Sequence, residues 1–168
     1  MAIVLPKFSR RRSSTRVAVE TQPAVNVSLC REDATYECGE SLAVSWHVSR
    51  ITLDKLQSIE LSVLWHSMGK GDEDLRVHHF VRLDEDHIRR LGLADDQALT
   101  CDLPMTPLSY YGRLINLRWC IRLRLFMTDG REIVTEQPFH LVSHGARERG
   151  DAVRSLQRPD TSQQQPTE

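Results

Sequence analysis

The stretch Arg113-Leu114-Ile115-Asn116-Leu117-Arg118-Trp119-Cys120-Ile121-Arg122-Leu123-Arg124-Leu125-Phe126-Met127 puts an apolar residue at every second position from Ile115 to Met127. Asn116, Arg118, Cys120, Arg122 and Arg124 stand between them. A helix turns about 100° per residue, so a spacing of two held this long would scatter the apolar side chains around its circumference. On a strand, the same spacing puts all of them on one face. The stretch therefore predicts a long strand with one side in a core.

The segment that follows fixes a hairpin. Thr128-Asp129-Gly130 leads into a second alternating run through Ile133, Val134, Phe139 and Leu141, in which Pro138 points to an edge or a bulge. A two-residue Asp-Gly turn would bring Glu132 and Glu136 onto the apolar face. A three-residue loop with Gly130 left-handed avoids that. It pairs Leu125 with Ile133 and Arg122 with Glu136, and sets Arg124 diagonally between Glu132 and Glu136.

The period of two recurs upstream. Val25, Val27 and Leu29 form one short set; Leu42, Val44, Trp46 and Val48 a second; Ile59, Leu61, Val63 and Trp65 a third; Leu99, Cys101 and Leu103 a fourth. Residues 76–83 carry a weaker strand through Val77, Phe80, Val81 and Leu83. Trp46, Trp65 and Trp119 all fall on the apolar parity. One short helix is expected over 84–92, with Asp84 as its cap, acids in its first turn, arginines in its last and Gly92 closing it. Residues 52–56 allow a single further turn. The fold class is all-β: an antiparallel immunoglobulin-like β-sandwich of about seven strands with one short helix.

A chain of 168 residues is sized for one domain with tails. Residues 1–23 carry a net charge of +4, residues 24–142 carry −5, and the remainder balances to zero. The expected organisation is a flexible basic arm over 1–23, the sandwich over 24–143 and a disordered tail over 144–168. The tail has almost no large apolar residue to offset its ordering entropy. The apolar run Ile3-Val4-Leu5 is too short for a secretory signal, and no run approaches the ~20 residues of a membrane-spanning helix. A net charge of −1 argues against nucleic-acid binding by bulk electrostatics.

The sequence gives chemistry little footing. Cys30, Cys38, Cys101 and Cys120 form no C-x-x-C pair, and are read as reduced thiols rather than an immunoglobulin-type bridge. His66, His78 and His79 lack metal-ligand spacing. Ser109, Asp102 and His79 make a triad only on paper. No cofactor is expected.

Two sets of residues remain as candidate interaction sites. The first is Lys70, Asp72, Glu73 and Asp74, in a loop that lacks both the ligand pattern of a calcium loop and the ending of a phosphate loop. It reads as a solvated hairpin connection or as a recognition loop at one end of the sandwich. The second is the stripe Arg118, Arg122 and Arg124. It reads as a cross-strand salt-bridge ladder with Glu132 and Glu136 or as an anion-binding face.

Two motifs carry a family resemblance. Tyr36-Glu37-Cys38-Gly39-Glu40-Ser41-Leu42 opens the second long strand, and Leu103-Pro104-Met105-Thr106-Pro107-Leu108-Ser109-Tyr110-Tyr111-Gly112 leads into Ile115-Asn116-Leu117-Arg118-Trp119-Cys120-Ile121. Together they resemble the arrestin-like N-terminal domain of small bacterial arrestin-like proteins, over roughly residues 24–142. Cys38 stands where that family usually has proline. The resemblance implies a single arrestin-like sandwich that is not an enzyme. Such a module would sit in the cytoplasm and dock or scaffold a protein partner, soluble or membrane-associated. An exported immunoglobulin-like structural or adhesion domain is the alternative.

Overall fold

The computed structural model describes residues 22–70, 73–93 and 95–147. The basic arm, apart from its last two residues, and the tail beyond 147 lie outside the described residues.

Among the described residues, nine strands and one α-helix follow in chain order: β1 (Ala24–Leu29), β2 (Thr35–Glu37), β3 (Ser41–Ser49), β4 (Leu56–Gly69), β5 (Leu75–Asp84), α1 (Glu85–Leu91), β6 (Gln97–Asp102), β7 (Tyr110–Tyr111), β8 (Ile115–Met127) and β9 (Glu132–Val142), with a single 3-10 turn at Leu53–Lys55 where one turn was expected. They form two sheets. The smaller has the order β1-β3-β6, and the larger has the order β2-β9-β8-β4-β5 with β7 added beside β8. The all-β sandwich with one short helix is thus present.

Register shows why these residues form these strands. In the smaller sheet, Val25 pairs with Val48, Val27 with Trp46 and Leu29 with Val44, while Leu42 pairs with Cys101 and Val44 with Leu99. In the larger sheet, Leu61 pairs with Leu123, Val63 with Ile121 and Trp65 with Trp119. The alternating apolar sets face each other across the sandwich and make one core. Trp46 and Trp119 are buried, whereas Trp65 is half-buried at its margin. Ile115 has the parity of the core but lies past its end and is exposed.

The hairpin has the expected register. Leu125 pairs with Ile133 and Arg122 with Glu136, and Gly130 sits at φ +84°, a conformation that a β-carbon disfavours. The helix is capped as expected, with the Asp84 carboxylate accepting from the His87 N–H and the Gly92 N–H donating to the Ile88 carbonyl.

Three features differ from the sequence reading. First, β2 and β7 are additional strands. β2 runs parallel to β9, with Tyr36 opposite Leu141. Second, residues 144–147 are not tail. The Glu37 carboxylate is nearly buried and accepts from the backbone N–H groups of Gly145 at 2.8 Å and Arg147 at 3.1 Å. A buried carboxylate needs such donors, so the turn is held to the domain. Third, β5 pairs with β4 through a bulge, with Val63 opposite His79 and Leu64 opposite Val77. The bulge turns His78 towards the other sheet. Its Nε2 donates to the Asp102 carbonyl at 2.8 Å, and its ring meets Trp119 edge-on.

Trp119 is the largest fully buried side chain of this core, and its Nε1 donates to the Pro107 carbonyl at 2.8 Å. Replacing it by alanine should cost about 3–5 kcal/mol. We expect Trp119→Ala to lower the melting temperature by about 10 °C or more. A shift of a degree or two in thermal denaturation would contradict the packing.

Candidate functional site

The outer face of the larger sheet carries all three arginines of the stripe, and its rows follow from register. Arg82, Glu60, Arg124 and Val134 stand side by side across β5, β4, β8 and β9. The next row is Phe80, Ser62, Arg122 and Glu136, followed by Val77, Leu64, Cys120 and Pro138. Leu75, His66 and Arg118 make the fourth row, and His140 adjoins Arg118 one step beyond the Trp119–Phe139 pair.

Two of the arginines are neutralised locally. Arg122 Nε donates to Glu136 at 2.6 Å, and Arg124 Nε donates to Glu132 at 2.6 Å. Arg124 also reaches Glu60 at 3.4 Å, and Arg82 holds the other oxygen of Glu60 at 3.2 Å. The ladder therefore spans four strands, from Glu132 through Arg124 and Glu60 to Arg82. Sequence reasoning missed Glu60 because it comes from β4, far from β8 along the chain. Its place in an apolar-alternating strand, opposite arginines on both neighbours, is the signal that identifies it.

Cys120 lies on this outer face, as its parity requires, yet it is buried together with Leu64. Flanking strands on both sides cover the middle of a wide sheet. Burial, aided by nearby Glu136, pushes the Cys120 thiol up to about 12, so it stays protonated and unreactive.

The second candidate set lies at the end of the same sheet. Lys70 is exposed, and its N–H donates to the Leu114 carbonyl at 3.0 Å. Glu73 and Asp74 are exposed, and Asp72 lies outside the described residues. The loop is closed by Ser67, whose N–H donates to the Asp74 carbonyl and whose hydroxyl accepts from the Asp74 N–H, both at 2.8 Å. Gly69 makes the close approach possible. A β-carbon there would stand 2.2 Å from the Leu114 carbonyl oxygen. The hairpin tip and residues 112–115 thus meet backbone to backbone.

Arg118 lies one row in from this tip. The structure therefore brings Lys70, Glu73, Asp74 and Arg118 to one end of the sheet, and places Arg122 and Arg124 further along in the ladder. Exposed apolar groups lie around this end: Met68, Leu75 and Tyr111 on the face of Arg118, Tyr110 and Ile115 on the parity of the core, and Leu114 in the segment before β8. Met68 and Tyr111 both stand opposite Asn116, on either side of β8.

A second polar network, also missed from sequence, fastens the adjoining loop. Arg31 donates to both oxygens of Glu40, at 3.0 and 3.1 Å, and its guanidinium lies over the Tyr36 ring. Glu40 in turn accepts from the Glu37 N–H at 2.8 Å. These carboxylates are fully engaged in holding β2 and its loop in place.

Two tests follow. The Arg124 hydrogen bond holds the Glu132 carboxyl below its ordinary pKa. A depressed carboxylate contributes stability above its unfolded pKa and loses it as pH falls through the folded one. We expect the Glu132 side-chain NMR titration to move up in Arg124→Gln. An unchanged midpoint would remove this rung of the ladder. For the tip, we expect Gly69→Ala to separate the loop from residues 112–115, seen as faster hydrogen exchange at the Lys70 amide. Unchanged protection would contradict the close approach.

No protein-family model matches the chain, and no curated protein sequence matches it. Among solved structures, the chain is similar to Spo0M, a sporulation control protein from Bacillus subtilis. The TM-score is 0.50 with 16% sequence identity, over 80% of this chain and 55% of that one. The chain thus spans about half the length of that structure. Among the described residues, no helix is long and apolar enough to cross a membrane. At this identity the likeness speaks to architecture alone, and the architecture is an arrestin-like β-sandwich.

Proposed function

We propose that the chain is a non-catalytic protein-binding module acting in the cytoplasm. Its docking surface is the end of the larger sheet where the β4–β5 hairpin meets residues 110–118. One observation carries this reading. Six large apolar or aromatic side chains are exposed at that end, Met68, Leu75 and Tyr111 on the face that carries Arg118, and Tyr110, Leu114 and Ile115 along the sheet's end, with Leu114 68% and Tyr110 56% accessible. A concentration of exposed apolar side chains at one end of a folded domain is a feature of interaction surfaces. Tyrosine, methionine and arginine are the residues that protein interfaces concentrate. Glu73 and Asp74 at the rim disfavour an anionic lipid surface and favour a protein partner. Lys70 belongs to the same rim. Arg122 and Arg124 serve the sheet.

An exported immunoglobulin-like domain would draw on a bridged cysteine pair. Cys30, Cys38, Cys101 and Cys120 are free thiols, which supports the cytoplasmic reading. The organisation we propose keeps the basic arm and the C-terminal tail as appendages to the sandwich.

The test is a pull-down from native lysate with the full chain and with a Leu114→Ser/Ile115→Ser variant. Both side chains are exposed, so the melting temperature should stay within a degree or two while capture is lost. Capture that survives both substitutions places the docking surface elsewhere.

A further inference from the structure

We propose that Arg118 is the anchor for a partner's carboxylate, from an aspartate or glutamate side chain or from a chain terminus. The inference rests on the docking surface proposed above and names the chemistry of its occupant.

The argument starts from an asymmetry within the stripe. Arg122 and Arg124 each hold a carboxylate at 2.6 Å. Arg118 has no carboxylate within ion-pair distance among the described residues, and it is exposed. Register explains why. Its neighbour on β4 is His66, and on its other side the β9 pairing ends one residue earlier at Trp119–Phe139 and β7 takes over at Leu117, where the rows below offer Glu60 and Glu136. A guanidinium carries a permanent charge and a planar fork of donors that matches a carboxylate.

Its surroundings also hold it in place. The guanidinium lies 6.0 Å from the centroid of the Tyr111 ring. The Tyr111 hydroxyl is 3.2 Å from His140 Nδ1, and the two rings are in tilted contact. A cation stacked on an aromatic face loses less rotamer entropy when it takes a ligand. Burial, with Arg118 adding to it and Asp33 opposing it, keeps His140 below its ordinary pKa. The imidazole is therefore neutral at pH 7 and adds no second charge. Arg118 is the one permanent cation of its row, which fits a monoanion better than a doubly charged phosphate. Leu75 in its own row and Met68 one row outward, both exposed on the same face, would cover the apolar residues flanking that carboxylate and exclude water from the pair.

The test uses the full-length protein, with the arginine Nε–H groups followed by NMR at pH 7.5 and constant ionic strength. Acetate should shift the Arg118 Nε–H several-fold more than those of Arg122 and Arg124, with accompanying shifts at Tyr111 and His140. A Leu-Glu-Leu peptide capped at both ends and a Leu-Ala-Leu peptide with a free C-terminal carboxylate separate the two sources. Saturable binding of either, lost in Arg118→Gln and kept in Arg122→Gln, supports the anchor. Equal responses at the three arginines would overturn it. So would tighter binding of inorganic phosphate than of acetate, or binding confined to vesicles of phosphatidylserine and phosphatidylcholine. In the pull-down, Arg118→Gln should weaken capture about tenfold. If Arg118→Gln captures normally while Leu114→Ser/Ile115→Ser does not, the anchor is wrong and the docking surface stands. If both capture normally, the docking surface itself is wrong.

Discussion

The structure depends on the pairing of β8 with β4, which runs unbroken from Ser58 opposite Phe126 to Gly69 opposite Ile115. Two long strands lying together over this distance present two faces of opposite character. One carries Ile59, Leu61, Val63 and Trp65 against Leu125, Leu123, Ile121 and Trp119, and is dry. The other carries Glu60, Ser62 and His66 against Arg124, Arg122 and Arg118, and meets the outside. A slip of one residue would exchange the faces and strand the charges in the core, so register here fixes register everywhere else. The second sheet, the Gly130 hairpin and the ion-pair ladder all take their positions from it.

The two strands were legible in the sequence because their signal is long and local; their pairing with each other was not, since it joins segments far apart in the chain. Seven apolar residues at spacing two leave one conformation open, and the hairpin register followed from keeping Glu132 and Glu136 off the core face. The features that were not legible are short or distant. β7 has two residues and β2 has three, too few to show a period. Glu60 meets Arg124 across 64 positions of chain, and the Gly145 amide meets Glu37 across 108. Cys120 looked solvated because parity assigns a face but not the height of the neighbouring side chains. The bulge at His78 breaks the period that would have announced it.

The two candidate sites were read separately and met in space. The loop around Lys70 came from its glycines and acids, and the arginine stripe from strand parity. The antiparallel turn of β4 into β5 carries the loop to the end of the sheet where β8 begins. Arg118 sits there while Arg122 and Arg124 do not. The stripe is therefore two things: a structural ladder along most of its length, and at its end an arginine that the ladder leaves unsatisfied. The hairpin register already gave Arg122 and Arg124 acidic neighbours and Arg118 none; what the sequence hid was Glu60, on the other neighbouring strand.

The parallel pairing of β2 with β9 has a consequence for how the chain reaches this state. Thr35–Glu37 is made early and His140 to Val142 late, and the buried Glu37 carboxylate is satisfied only when Gly145 and Arg147 arrive. During synthesis, β3, β4 and β5 can begin to associate, but the edge that β2 closes must wait for nearly all of the domain to emerge. Contacts of such separation make folding slow, on the order of milliseconds to seconds. They also leave apolar strand faces uncovered in the meantime, which is the state in which a nascent β-sandwich most needs a chaperone.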